Sequence, residues 1–393
     1  MSTINPSRVA QHIRSFEKAL TGYSEDEPLA RFLTRFFKEN KQMGSSDRRM
    51  TSRYCYNFFR LGDALTTRLP VDRLTVAEFL CEQHSDVVAL AEPDWVAHIE
   101  KPVAEKLAFL ESQGMEIAAD LFPFEEGFSA GINSDAFRRS QLVQPDLFIR
   151  VQAKALDRVV DALKSNQIDY VQEAANSFRL ANGSRLQDLK ALEGKYEVQD
   201  LSSQETLKYM PIQANDSIWD ACAASGGKSL MLLDSFPRLN LLVSDIRLSI
   251  LRNLDERFEN AGIKVPFRKK IIDLTGDITE KLDAELFDGI LMDVPCSGSG
   301  TWGRTPEMIQ QFSMDKIEEF ARLQKEISKN VIPFLKPGGY LLYITCSIFK
   351  KENEEAVDYL VNECGLILEE SKLILGYEKQ ADSMFIACLR KKA

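Results

Sequence analysis

Two cysteine motifs hold the groups in this sequence best suited to covalent chemistry. Asp293-Val294-Pro295-Cys296-Ser297-Gly298-Ser299-Gly300 closes one apolar run, and Ile344-Thr345-Cys346-Ser347 closes another. The thiolate is the nucleophilic form of cysteine. A thiolate that adds to carbon 6 of a cytosine makes carbon 5 enamine-like, able to attack a methylsulfonium. The ring must then lose its carbon-5 proton and expel the thiolate. A second thiol can assist proton removal or release. An acid beside ring N3 stabilises the intermediate, and Asp293 is the candidate. A single cysteine at a strand end is most often a buried small hydrophobe. Two of them with an acid, at adjoining strand ends, supply the parts this reaction needs.

A glycine loop lies upstream. Asp220-Ala221-Cys222-Ala223-Ala224-Ser225-Gly226-Gly227-Lys228 follows a short apolar strand and opens a helix. Glycine permits close backbone approach of a ligand and positive φ. The loop is neither G-x-G-x-x-G nor the phosphate loop G-x-x-x-x-G-K-[ST]. A phosphate-free nucleoside such as S-adenosyl-L-methionine therefore fits better than NAD or ATP. The next strand ends in Ser244-Asp245, where a carboxylate is placed to accept hydrogen bonds from ribose hydroxyls. The competing role for Asp245 is the N-cap of a helix from Ile246. Asp273 follows Ile271-Ile272 and either binds the adenine amino group or caps the turn at Gly276.

The elements that must position these groups are legible as strand–helix alternation after Tyr209. Strands are expected at Ser217–Ala221, Asn240–Ser244, Phe267–Ile272, Phe287–Asp293, Gly339–Thr345 and Ser383–Leu389. Helical patterns lie between most of them, and Pro337-Gly338-Gly339 should separate a helix from the strand after it. This is the pattern of a doubly wound α/β sheet, Rossmann-like in class. Before it, Leu147–Val151 reads as a strand followed by a helix through Leu163. Residues 1 to about 140 read as all-α, with apolar positions at threes and fours (Val9, Ile13, Phe16, Leu20). The stretch from Phe122 to Ser140 is loop-rich and should hold a boundary. The expected division is 1–140, 141–205 and 206–393.

Composition narrows the class. The chain has 393 residues, 44% hydrophobic and 27% charged, as in ordinary globular proteins. It lacks an apolar run long enough to cross a membrane. Residues Met1 to Leu20 lack a leader-type apolar core, so a cytoplasmic protein is expected. Seven cysteines without a C-x-x-C pair, beside only three histidines, argue against zinc and against a disulfide framework. The net charge of −10 argues mildly against nucleic acid, but between Arg31 and Arg60 eight Arg or Lys face only Glu39 and Asp47. Phe32, Phe36, Phe37, Tyr54, Tyr56, Phe58 and Phe59 interleave with them. That stretch is either a phosphate-binding face or an amphipathic helix pair with an aromatic core.

D-A-C-A-A-S-G-G-K at 220–228, D-V-P-C-S-G-S-G at 293–300 and T-C-S at 345–347 together resemble the Sun-family RNA (cytosine-5) methyltransferases, in their bacterial ribosomal-RNA form. Gln199 to Gln204, Arg304-Thr305-Pro306-Glu307, Leu323-Gln324 and Lys336 to Gly339 agree with that pattern. The resemblance implies that Cys346 is the nucleophile, that Cys296 helps release the product, and that Asp293 contacts the target base. It implies a cofactor site of Cys222, Ala223, Ala224, Ser225, Gly226, Gly227, Lys228, Asp245 and Asp273, with Asp293 at its edge. It places a small α+β RNA-recognition element before the catalytic domain and, over the first 140 residues, a NusB-type helical domain. Departures are Ser225, where the family has proline, and Gln152 in the family's R-x-N element.

The expected activity is S-adenosyl-L-methionine-dependent methylation of cytosine carbon 5 in RNA, ribosomal RNA ahead of transfer RNA, through a covalent cysteine adduct. RNA is the expected partner, a monomer is favoured, and neither membrane nor metal is expected. One alternative is a non-catalytic ribosome-assembly factor that binds RNA, against which both cysteines and the strand-end acids speak. Another is a DNA cytosine methyltransferase, which would use Cys296 as nucleophile and leave T-C-S without a role.

Overall fold

Eleven strands carry the α/β part of the chain: β1 (Leu147–Val151), β2 (Tyr170–Ala174), β3 (Ser177–Leu180), β4 (Tyr196–Val198), β5 (Ser217–Asp220), β6 (Asn240–Asp245), β7 (Arg268–Ile271), β8 (Phe287–Asp293), β9 (Leu335–Thr345), β10 (Leu366–Ile374) and β11 (Met384–Lys391). The structure, a computed structural model, describes residues 4–124 and 127–393. Residues 1–3, in the segment expected to lack a leader, and 125–126, in the stretch read as loop-rich, lie outside the described residues. The described chain divides into a helical unit (4–124, 133–144 and 302–313) and an α/β unit (127–132, 145–301 and 314–393).

In the α/β unit, β5 to β11 form one sheet in the order β10-β11-β9-β8-β5-β6-β7. Strands β5 to β9 pair in parallel, and β11 runs antiparallel to both neighbours. Parallel sheets are covered on both faces, so their strands read as continuous apolar runs. One face buries Trp219, Leu242, Ile290, Met292, Leu341 and Tyr343. The other buries Ile218, Leu241, Val243, Leu291, Leu342 and Ile344. Chain order reverses direction at β5, which has β6 on one side and β8 on the other. Ligands of open α/β sheets bind outside the carboxyl ends of strands at such a switch point.

The Rossmann-like sheet is thus the expected one, with two differences in detail. Strand β10 has half-exposed and exposed residues along most of its length, and that absence of an apolar run hid it from the sequence. Pro337-Gly338-Gly339 lies inside β9, not before it, and the β8–β9 register shifts there. A second sheet of order β2-β3-β1-β4 packs the helix Leu156–Ser165 through Val159 and Leu163.

The helical unit buries Phe16, Phe32, Phe36, Tyr54, Phe58 and Phe59 in one core. The aromatics of the 31–60 stretch are therefore mainly core. Several of its cations are also spent internally, which corrects the phosphate-face reading for them. Arg53 pairs with Glu78 and Glu82, and Arg35 pairs with Glu27. Arg60 is 1% exposed and donates to the Gln141 carbonyl (2.6 Å), Gln144 Oε1 (2.7 Å) and the Gly303 carbonyl (2.9 Å). Arg31, Lys38, Lys41 and Arg49 stay exposed. A helix also forms inside the stretch read as loop, Ser134–Gln141, because the Asn133 side chain caps it by accepting from the Ala136 N–H. Arg60→Ala strands two buried carbonyl acceptors, those of Gln141 and Gly303, so it should cost about 3 kcal/mol, seen as a lower urea midpoint of the helical unit.

Candidate active site

Each strand that feeds the switch point ends in a polar group. Asp220 ends β5, Asp245 ends β6, Asp293 ends β8 and Thr345-Cys346 ends β9, while Asp273 follows β7 by two residues. Because these strands are parallel, one edge of the sheet collects all of them. The loop after β5 turns through two left-handed residues, Ala224 (φ 47°) and Gly226 (φ 79°). Gly226 is required there twice over. Its conformation suits glycine, and a Cβ would lie 2.6 Å from Leu254 and 2.9 Å from Phe258. The helix Gly227–Ser235 begins directly after it.

Two clefts open at this edge. The larger, of about 480 Å³, is lined by Cys222, Ala224, Asp245, Asp273, Pro295, Cys296 and Leu323, with apolar walls from Ile246, Leu274 and Ile327. The smaller, of about 320 Å³, is lined by Gln199, Asp200, Asp220, Ser225, Gly227, Lys228, Arg257, Thr301 and Asp382. Cys222, Ala224, Asp293 and Cys346 border both. Of the residues expected to hold a cofactor, Ala223, Ser225, Gly227 and Lys228 line the smaller cleft, while Gly226 shapes the turn from behind.

The candidate reacting groups form two close pairs. Cys296 Sγ and Cys346 Sγ are 3.3 Å apart, and both residues are half-buried. The sulfur contact, followed by burial, pushes the Cys296 thiol well above its ordinary value, so Cys296 keeps its proton. Lys228 Nζ sits 2.6 Å from Asp293 Oδ2. Burial opposes the Lys228 charge, but the Asp293 carboxylate outweighs it and holds Lys228 above its usual value. Asp220 is buried, accepts from Ser229 Oγ at 2.5 Å, and is pushed up to about 7, chiefly by burial.

The two acids expected to hold a nucleoside make local turns. Asp245 Oδ1 accepts from the Arg247 N–H at 2.9 Å and pairs with the Arg247 guanidinium at 3.1 Å. Asp273 Oδ1 accepts from the hydroxyl (2.7 Å) and N–H (3.0 Å) of Thr275, which lower it below the usual carboxylate range. Both still face the larger cleft. The site thus joins a larger, acid-rimmed cleft with apolar walls to a second cleft across a thiol and a lysine–carboxylate pair.

Three features at this edge were not singled out in the sequence. Gly300 presses the Pro295–Gly300 loop onto β9: its N–H donates to the Cys346 carbonyl at 2.9 Å, and a Cβ would lie 2.1 Å from the Ser383 carbonyl. Arg257 donates to Glu197 Oε2 at 2.6 Å and to Ser225 Oγ at 3.1 Å, fastening the glycine loop to β4. Nothing in the spacing of Ser225 and Arg257 signals that contact. Glu352 gathers the serines that follow both cysteines. By contrast, Gln152, the departure in the R-x-N element, and Arg150, the first residue of that element, are buried. Arg150 donates to Gln199 and Asp234, and Gln152 donates to the Ala261 carbonyl.

A family model described as 16S rRNA methyltransferase RsmB/F matches residues 207–390. The chain is similar to ribosomal RNA small subunit methyltransferase B of Shewanella oneidensis, 37% identical over 166 residues, 42% of this chain and 38% of that one. It is similar to the Yersinia enterocolitica protein of the same name, 29% identical over 266 residues, 63% of this chain and 60% of that one. The chain thus spans 38% to 60% of the length of these relatives. Among solved structures, PH0851 shares the fold over 99% of both chains at a TM-score of 0.72 and 20% identity. NSun6 of Pyrococcus horikoshii with SFG covers 66% of this chain and 94% of its own at a TM-score of 0.58 and 19% identity.

Proposed function

We propose, from the premise that residues 207–390 belong to the 16S rRNA methyltransferase RsmB/F family, that this chain methylates carbon 5 of a cytosine in ribosomal RNA through a covalent Cys346 adduct. The observation that carries the reading is that Cys346 and Asp293 border both clefts at once. A base in the smaller cleft and a methyl donor in the larger would meet across them. The larger cleft fits S-adenosyl-L-methionine: it has apolar walls for a purine, Asp245 and Asp273 for ribose and adenine polar groups, and a tight loop allowing close backbone approach. When bound, that group supplies an electrophilic methyl and leaves as the neutral thioether.

The chain's own groups then account for the rest. Cys346 Sγ bonds to carbon 6, and carbon 5 takes the methyl. The carbon-5 proton passes to a base, and the carbon 6–sulfur bond breaks to restore the ring and the thiolate. Cys296, whose protonated thiol lies 3.3 Å away, is placed to donate its S–H to the Cys346 thiolate as the carbon 6–sulfur bond breaks. Asp293 faces the ring, and Lys228 beside it offers positive charge to electron density that develops on the ring. The base must leave its stack to reach the cleft, which favours loops and mismatched sites. In this reading residues 1–140 are a helical domain, 141–205 an RNA-recognition element and 206–393 the catalytic part, with 302–313 packed among the helices.

Bisulfite profiles of ribosomal RNA from cells with and without the gene test the reading. One ribosomal cytosine should lose protection, whereas loss only in transfer RNA moves the substrate, and no loss rejects the activity. A second expected result concerns Arg257. Its replacement by alanine frees the Ser225 loop of about 1 kcal/mol of hydrogen bonding, so S-adenosyl-L-methionine affinity should fall about fivefold by calorimetry. An unchanged affinity would mean the glycine loop holds itself.

A further inference from the structure

We propose that Glu352 is a positioning residue that sets the spacing of the two thiols, an inference that rests on the covalent reading above. Glu352 is fully buried and lines neither cleft. Its Oε1 accepts from the Ser297 N–H at 2.8 Å and from Gln324 Nε2 at 3.3 Å. Its Oε2 accepts from Ser297 Oγ at 2.6 Å and Ser347 Oγ at 2.5 Å. Ser297 directly follows Cys296, and Ser347 directly follows Cys346. One carboxylate therefore holds both cysteine loops, at the positions next to the reacting sulfurs.

The clamp is itself anchored. Tyr343 on β9 lies 2.8 Å from the Glu352 carbonyl and 3.0 Å from Gln324 Oε1. Gln324, from the helix Asp315–Val331, also donates to the Pro295 carbonyl at 2.9 Å. Ser299 Oγ accepts from the Ile348 N–H at 3.0 Å, a second stitch between the same loops. Burying a carboxylate costs free energy unless donors satisfy it. Here every one of these donors is an uncharged group, and two of the three residues that supply them flank the cysteines. Filling space would not need an acid. Pulling two loops to a common point does, because one carboxylate offers two oxygens with several lone pairs. Without it the Ser297 N–H and hydroxyl lose their bonds to this carboxylate, and the Pro295–Gly300 loop is held less firmly to β9.

The test compares Glu352→Ala and Glu352→Gln in the full chain. The readouts are the maximal methylation rate, calorimetric affinity for S-adenosyl-L-methionine, and the rate at which diamide joins Cys296 to Cys346, mapped by peptide mass. In that last reaction the two thiols lose two hydrogens to diamide and form one disulfide, so it reads sulfur spacing without any methyl transfer. A displacement of about 1 Å should lower the alanine variant's kcat about 100-fold. The cross-linking rate should fall at least about tenfold, because disulfide geometry is narrow. Cofactor affinity should stay within about twofold, as the clamp touches neither cleft. Glutamine keeps only one of the two acceptor oxygens and should recover part of both rates, leaving them between alanine and wild type. Wild-type cross-linking in the alanine variant would overturn the proposal, as would an unchanged kcat. If Glu352→Ala does not fold, Ser347→Ala removes one arm of the clamp and the same readouts decide. Because cross-linking is independent of RNA, failure of the clamp is told apart from failure of the assigned reaction, which Cys346→Ala tests.

Discussion

Replacing Cys346 with alanine is expected to lower methyl transfer to RNA by at least about 10⁴-fold, the scale at which removing a covalent nucleophile acts. The side chain borders both clefts, and its Sγ is 3.3 Å from the other thiol. No covalent protein–RNA complex should form in this variant. The Cys296→Ala variant should do the opposite. The adduct forms, but release is slowed, so a complex stable to denaturing gel electrophoresis accumulates. The asymmetry has a structural basis, because Cys296 borders only the larger cleft. A complex that survives loss of Cys346 would reverse the roles of the two cysteines. Undiminished methylation by Cys346→Ala would remove the covalent mechanism altogether.

Asp293→Asn should lower kcat about 10²- to 10³-fold, the usual scale for one preorganised electrostatic group at a reacting centre. The substitution keeps shape but removes the charge that Lys228 faces at 2.6 Å. Lys228 is then left in a protein interior without its counter-ion, and its raised pKa should fall back toward or below the ordinary value. Cofactor binding should change much less than kcat if Asp293 acts mainly on the base. The measurement is single-turnover methylation at saturating cofactor, with affinity read separately. A loss confined to cofactor affinity would move Asp293 from the base to the cofactor.

Much of this site was legible without coordinates, for a physical reason. Parallel strands show themselves as short apolar runs, and groups just after those runs must gather at one sheet edge. That is why Asp245, Asp273, Asp293, Cys296 and Cys346 could be placed together from the sequence. Strand β10 escaped because it is exposed along much of its length, so no run marks it. The 31–60 stretch stayed open between two readings because periodicity finds a helix face but not its neighbours. Arg60 and Arg53 look like surface cations until the groups that receive them, Gln141, Gly303 and Glu78, are brought alongside.

Residue order alone therefore determined the class of sheet, the edge at which chemistry gathers and the kinds of groups available there. Those follow from local patterns and the direction of parallel strands. Tertiary structure alone decided which groups touch. The 3.3 Å thiol pair, the Lys228–Asp293 contact, the Arg257–Ser225 tie and the Ser297–Glu352 bond join residues 32 to 65 positions apart in the chain. Contacts at that separation depend on how loops from different strands pack, and no local pattern encodes that packing.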